Sequence, residues 1–388
     1  MERFGNEMKF EKYVTSYLKN YINAKINWNY EDGCVLMGSV MLYEATGDDF
    51  YKDFIVDYMK DFINEDGTIN HFDKEQYNID SIHTGKVLFF LYNETKEEKY
   101  RKAIDTIMDQ LKSHPRTKSN NFWHKNIYPN QIWLDGLYMA QPFYMAYETN
   151  YNNKENYRDI INQFENTRKY LYNTDKKLYY HGYDESRVQP WADKETGLSK
   201  NFWLRAMGWY LMALIDTMDE MSEEIFEHYK TLEVLFKEAI TGILLYQDEE
   251  SNLFFQLIDR KDIENNYLET SGSAMVAYAI LKGCRMGVLQ KEKYQHTGEN
   301  IVISLLDNKL IQVDGELKLT DMCSVAGLGP GDTRDGSVEY YLSEPIVCDD
   351  HKGTGAFMMA YAQMILIKKE NSEDISNFIT ICNNMNAL

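Results

Sequence analysis

Residues 130–147 read NQIWLDGLYMAQPFYMAY. An aromatic and apolar run leads into Asp135 and Gly136, and a helix with apolar residues on most of its faces follows. Such a helix has no wet side to turn outward, so it must be buried within a shell of others. The unit recurs, as a search for internal repeats shows. Glycine followed by a Met-, Leu-, Ala- and Tyr-rich helix appears near Gly33, Gly85, Gly136, Gly208, Gly272 and Gly355. Most copies are followed by a short polar turn and a second helix. In these second helices, as in EEKYRKAIDTIMDQL, apolar residues recur at i, i+3, i+4 and i+7, the mark of one buried stripe.

Six buried helices and six striped ones make a closed all-α toroid, an (α/α)6 barrel, and residues 1–388 are expected to form this single domain. Closure removes the end faces that an open solenoid must cap; an open helical-repeat scaffold is the alternative. A helix at residues 10–22 is expected to close the ring against the last inner helix. The longer intervals, 172–199, 248–270 and 309–352, are turn-rich inserts with short β-like runs such as LFFQLI and ELKLT. They precede inner helices, so they should build one face of the ring.

The bulk properties narrow the function. A net charge of −20 disfavours nucleic acid and anionic membrane, which need a basic surface. It also requires that an anionic substrate meet a local group of cations or helix N-termini. The five cysteines, Cys34, Cys284, Cys323, Cys348 and Cys382, are scattered, with no CxxC, which reads as reduced thiols in a cytoplasmic protein. The first residues carry no apolar signal core. The 30 Tyr and 6 Trp are mostly core, yet aromatic rings beside polar groups also suit the apolar face of a sugar.

Chemistry-bearing residues fall just before the inner helices: Trp28 and Tyr30; Asp80 and His83; His124, Lys125 and Asp135; His181, Arg187, Trp191, Trp203 and Arg205; His351 and Lys352. Loops far apart in sequence should therefore meet at one mouth. Asp135 lies among Ile132, Trp133, Leu134, Leu137, Tyr138 and Met139, and poor hydration favours the protonated form a general acid needs. The competing reading is a helix cap, for Asp135 as for Asp80. His83 reads as a packed or capping histidine and Arg187 as a solvated loop residue. His181 and Arg205, surrounded by Trp and Tyr, read as functional. The runs GLGPGD and GTG lack a phosphate-loop ending. No HExxH and no Cys/His cluster of zinc spacing occurs, and nothing calls for a cofactor.

The blocks FWHKNIYPNQIWLDGLYM, HGYDESRVQPWADKETGLSKNFWLRAMGWY, the Asp of NIDSIHTGK and CSVAGLGPGDTRDGSVEYYLSEPIVCDDHKGTGAFMMA resemble the unsaturated rhamnogalacturonyl hydrolases, glycoside hydrolase family 105. The resemblance runs in order over nearly the whole chain. It implies an (α/α)6 barrel acting on small anionic oligosaccharides whose terminal uronic acid carries the C4=C5 bond left by a pectin lyase. It also implies that Asp135 is the proton-transferring carboxylate, with Asp80 a second catalytic aspartate. His124, Lys125, Met139, His181, Trp203, Arg205 and Trp209 match pocket-lining positions, and Arg205 could face the substrate carboxylate. Hydration of the enol ether follows: a proton to C4, water to C5, ring opening and release of the neighbouring sugar. The rivals are an unsaturated glucuronyl hydrolase on glycosaminoglycan fragments, an inverting glucanase on the same toroid, and a non-catalytic repeat scaffold with a broad wet groove. The leaving sugar and the choice between monomer and homodimer are left open.

Overall fold

The computed structural model describes residues 2–222, 224–331 and 333–385, the side chains of 2–4 and 373–385 excepted. Twelve helices of ten residues or more run through these residues: α1 Glu2–Lys19, α2 Tyr30–Thr46, α3 Asp49–Lys60, α4 Lys86–Thr95, α5 Glu98–Ser113 and α6 Leu134–Tyr151, then α7 Tyr157–Leu171, α8 Leu204–Asp219, α9 Phe226–Ile243, α10 Thr270–Arg285, α11 Lys291–Asn308 and α12 His351–Met385. The even-numbered helices form the inner ring. Every residue of α8 from Leu204 to Met218 is buried, as is every residue of α10 from Thr270 to Cys284. The odd-numbered helices bury one stripe, as α5 does with Tyr100, Ala103, Ile104, Ile107, Met108 and Leu111. Inner helices pack in sequence order, with the short helical turn Asp80–His83 ahead of α4 supplying most of the contact with α6, and α12 returns against α2, so the toroid is closed.

The six glycines mark the inner helices for a reason other than starting them. Only Gly85 stands directly before its helix; the other five lie within the first turns. Gly208, Gly272 and Gly355 are where neighbouring inner helices come close, while Gly33 faces the His83–Thr84 turn. A Cβ on Gly272 of α10 would lie 2.4 Å from Leu204 Cγ of α8, and one on Gly355 of α12 would lie 2.3 Å from the Cys34 carbonyl oxygen of α2. The second contact is with backbone, which cannot swing aside.

The closing helix is α1, longer at its start than expected and ending at Lys19 rather than residue 22. The chain turns there, and Tyr21 OH donates to Asp32. Phe10 of α1 stacks on Tyr361 of α12 with ring centroids 3.6 Å apart.

The inserts carry short antiparallel pairs, among them Gln131–Trp133 with Gly182–Asp184 and Leu310–Val313 with Glu316–Leu319. The run LFFQLI at 253–258 forms no strand, only single bridges. Its carbonyls serve helix entries instead: Gln256 O accepts from Leu204 N and Phe254 O from Glu269 N, both at 2.9 Å. Cys34, Cys284, Cys323 and Cys348 are unpaired, and the Cys382 side chain lies outside the described residues. Among the described residues, no helix is long and apolar enough to cross a membrane.

Candidate active site

One mouth of the ring holds a cavity of about 400 Å³. The first turns of α2, α6, α8 and α12 reach it, together with the short helical turn Asp80–His83 and the 324–327 loop.

Asp135 enters this cavity from the second position of α6. Trp133, extended at φ −115° and ψ 147°, holds the N-cap position, and no side chain caps the helix. Pairing of Trp133 with Gly182 fixes that entry. Asp135 is therefore no cap. Its side chain is 16% exposed, and its Oδ2 lies 3.2 Å from His181 Nε2, too oblique for a hydrogen bond. His181 is fully buried, with Nδ1 2.7 Å from the hydroxyl of Tyr341. Burial pushes the Tyr341 phenol far up, so the hydroxyl keeps its proton. The apolar sequence neighbours Ile132, Leu134 and Leu137 enter the core and do not line the cavity; Trp133 and Met139 do.

Asp80 does not cap its turn either; Ile79 holds that position. Its carboxylate meets Lys125 Nζ at 2.6 Å and His124 Nε2 at 3.5 Å. Burial alone would raise the Asp80 carboxyl, but the Lys125 ammonium and then His124 outweigh it and hold it below the usual carboxylate range. Burial likewise works against Lys125, and Asp80 reverses it, leaving the amine above its ordinary value. His124 stacks on Trp133 at 4.2 Å, and burial lowers it to about 4 despite the nearby Asp80, so it is neutral at pH 7. Gly136 leaves room for this ring: a Cβ there would stand 3.1 Å from His124 Nδ1.

Arg205 lines the cavity, but its guanidinium is bound to the protein. Nε donates to Ser271 Oγ at 2.8 Å, Nη1 to Ser324 O at 3.1 Å and Nη2 to Cys323 O. Glu269 Oε1 stands 3.5 Å from Nη2. Such a group is a fixed wall with little donor capacity left for a ligand. Trp203, Trp209 and Met139 supply flat or soft apolar surface, and Trp209 is backed by Tyr138, stacked at 5.1 Å. No group of three or more His, Cys, Asp or Glu among the described residues could hold a metal ion.

This arrangement of a half-buried acid, a neutral His124 imidazole and aromatic walls suits proton transfer to a sugar. A family model described as Glycosyl Hydrolase Family 88 matches residues 2–368. A solved structure titled as a family 105 glycoside hydrolase of C. acetobutylicum ATCC 824 superimposes with a TM-score of 0.87 at 43% identity, covering 92% of this chain and 98% of that one. The chain belongs to this glycoside hydrolase family. The hydrolase is also similar to the 24.9 kDa protein in the picA locus of Rhizobium radiobacter, 38% identical over 60% of this chain and all of that one. It is 23% identical to the unsaturated rhamnogalacturonyl hydrolase YesR of Bacillus subtilis (strain 168), over 72% of this chain and 78% of that one.

Of the residues expected at the hydrolase's site, Asp80, His124, Lys125, Asp135, Met139, Trp203, Arg205 and Trp209 line the cavity. His181 does not; it stands behind Asp135. Tyr30 and Lys352 also line it, whereas Trp28, His83, Arg187, Trp191 and His351 do not. Trp28 Nε1 donates to Ser81 O, His83 is fully buried beside Tyr138, and Arg187 is an exposed loop residue. Trp191 packs under Trp133 and Leu328, and His351 bridges Tyr17 and the Ile22 carbonyl. Residues missed by the sequence reading are Lys25, Glu31, Tyr128, Asp350, the 324–327 loop and Arg334. The last two lie in a block whose glycines drew attention, while its one arginine carried the usable signal.

Proposed function

We propose that the hydrolase removes a terminal 4,5-unsaturated galacturonyl residue from the oligosaccharides left by rhamnogalacturonan or pectin lyases. Residues 1–388 act in this as one catalytic domain, since the cavity draws on loops from residue 25 to residue 352. One observation carries the reading. Each other acid lining the cavity has a lysine: Glu31 has Lys25 at 2.8 Å, Asp80 has Lys125 at 2.6 Å and Asp350 has Lys352 at 2.8 Å. Among the described residues Asp135 has no Lys or Arg partner, only His181. A conventional glycosidase needs an acid and a second free carboxylate. Here the second carboxylate is neutralised, so the chemistry has to run through one group.

An enol ether allows that. Asp135 gives its proton to C4, and positive charge develops at C5 and the ring oxygen. Water adds at C5 and returns a proton to the Asp135 carboxylate. The hemiketal opens, and the neighbouring sugar leaves as the alcohol. His181, fastened at Nδ1 to the Tyr341 hydroxyl, stands 3.2 Å behind Asp135 and limits where the carboxyl can turn. Asp80, kept ionised by Lys125, accepts from ring hydroxyls or the water. The name of the Bacillus subtilis relative supports the substrate class.

The test follows loss of the enol-ether ultraviolet absorbance on a panel of unsaturated disaccharides. Asp135→Asn is expected to lower kcat about 10²–10⁴-fold with the fold intact. A fully active Asp135→Asn variant, or a wild type inert on every unsaturated uronide, would contradict the reading.

A further inference from the structure

The uronide proposed above carries a carboxylate on C5, next to the double bond, and the cavity must hold it in a protein of net charge −20. Most of the cavity's cations are already compensated. Lys25 pairs with Glu31, Lys125 with Asp80, and Lys352 with both Glu31 at 3.2 Å and Asp350 at 2.8 Å. Arg205 is fastened to Glu269, Ser271 and two carbonyls. A cation that already faces a carboxylate offers a second anion little net attraction. Arg334 differs: among the described residues, no ion pair or hydrogen bond engages its guanidinium, and it lines the cavity. We infer that Arg334 is the residue that binds the substrate's carboxylate and so selects a uronic acid at the terminal position. This rests on the unsaturated-uronide reading and names a residue for its anionic end.

The surroundings support the assignment. Arg334 Nη1 and the Trp133 ring lie 3.4 and 3.5 Å from one point, where a Cβ of Gly327 would be. The guanidinium and the indole that leads into Asp135 therefore flank the same glycine of the cavity wall. The loop that carries it is braced. Gly329 N donates to Arg334 O at 2.9 Å, and Tyr340 OH to Gly327 O at 2.6 Å. Leu328 is fully buried beside Trp191, and Lys200 holds Asp335 at 2.8 Å. A planar fork on a fixed loop suits bidentate pairing with a carboxylate. Holding C6 would orient C4 and C5 against the acid without taking part in proton transfer. Its loss should therefore appear mainly in KM.

The experiment compares the wild type with Arg334→Gln and Arg334→Lys on an unsaturated uronyl disaccharide and on its C6 methyl ester. Arg334 is half-exposed, so the variants should keep the wild-type thermal midpoint. Expected for Arg334→Gln is a roughly 10- to 100-fold rise in KM on the acid, with kcat within a few-fold and the ester scarcely affected. Arg334→Lys should restore part of the loss. Equal losses on acid and ester, or no loss on the acid, would overturn the assignment. A wild type inactive on both compounds would instead sink the hydrolase reading and the inference with it.

Discussion

At the scale of residues, the site works by separating charge states among groups within a few ångströms. Asp80 is fixed as an anion by Lys125, His124 is fixed neutral by burial, and Asp135 has, among the described residues, His181 in the place where the other acids have a lysine. The neutral histidine has a cost that can be read from stability. An unfolded histidine takes up its proton near pH 6.5, roughly; folded His124 does so only at about 4. As pH falls from 7 to 5, the unfolded chain gains a proton that the folded chain refuses, so stability drops, by about 2 kcal/mol for one such group. His114, also lowered to about 4 by burial, behaves alike. His83 is likewise held well below its ordinary value by burial, so His124→Gln is expected to remove about a third of the histidine-derived slope in urea-unfolding free energy between pH 7 and pH 5. An unchanged slope would show that His124 is charged in the folded protein. The residues themselves were legible early because they stand in dense motifs. Their partners were not: that Arg205 faces Glu269, 64 positions away, while Arg334 has no acidic partner among the described residues, depends on how the ring folds.

At the scale of elements, the inner helices were legible from apolar residues on all faces, and the outer ones from a single stripe. What the glycines do was not legible, because close approach between helices leaves no local pattern. In an exposed helix, Gly to Ala is stabilising by about 1 kcal/mol. Gly5 in α1, with nothing within 4 Å of its missing Cβ, should follow that rule or be neutral. Gly355→Ala should do the opposite, destabilising by about 2–3 kcal/mol, because the new methyl meets the Cys34 backbone. Denaturant midpoints of the two variants check this; a neutral Gly355→Ala would mean that α2 and α12 can part freely. The run 253–258 misled for a related reason. Buried Leu253, Phe254 and Leu257 look strand-like, but their backbone serves helix entries.

At the scale of the molecule, the toroid explains how loops hundreds of residues apart reach one acid. Each inner helix starts at the same mouth, so the N-terminal turns of α2, α6, α8 and α12 converge there and add their partial positive charge for an anionic sugar. The ring order was readable from the repeat count, and closure followed from burial. The pairing of acids with lysines across the mouth required the folded ring. All of this assembles around one event, delivery of a proton from Asp135 to a carbon. The most direct measurement is proton NMR of an unsaturated uronyl disaccharide turning over in D2O, with wild type and Asp135→Asn in parallel. Expected is one deuteron placed stereospecifically at C4 as the neighbouring sugar is released, and neither event with the variant. Release of that sugar while the C4=C5 signals stay intact would contradict it.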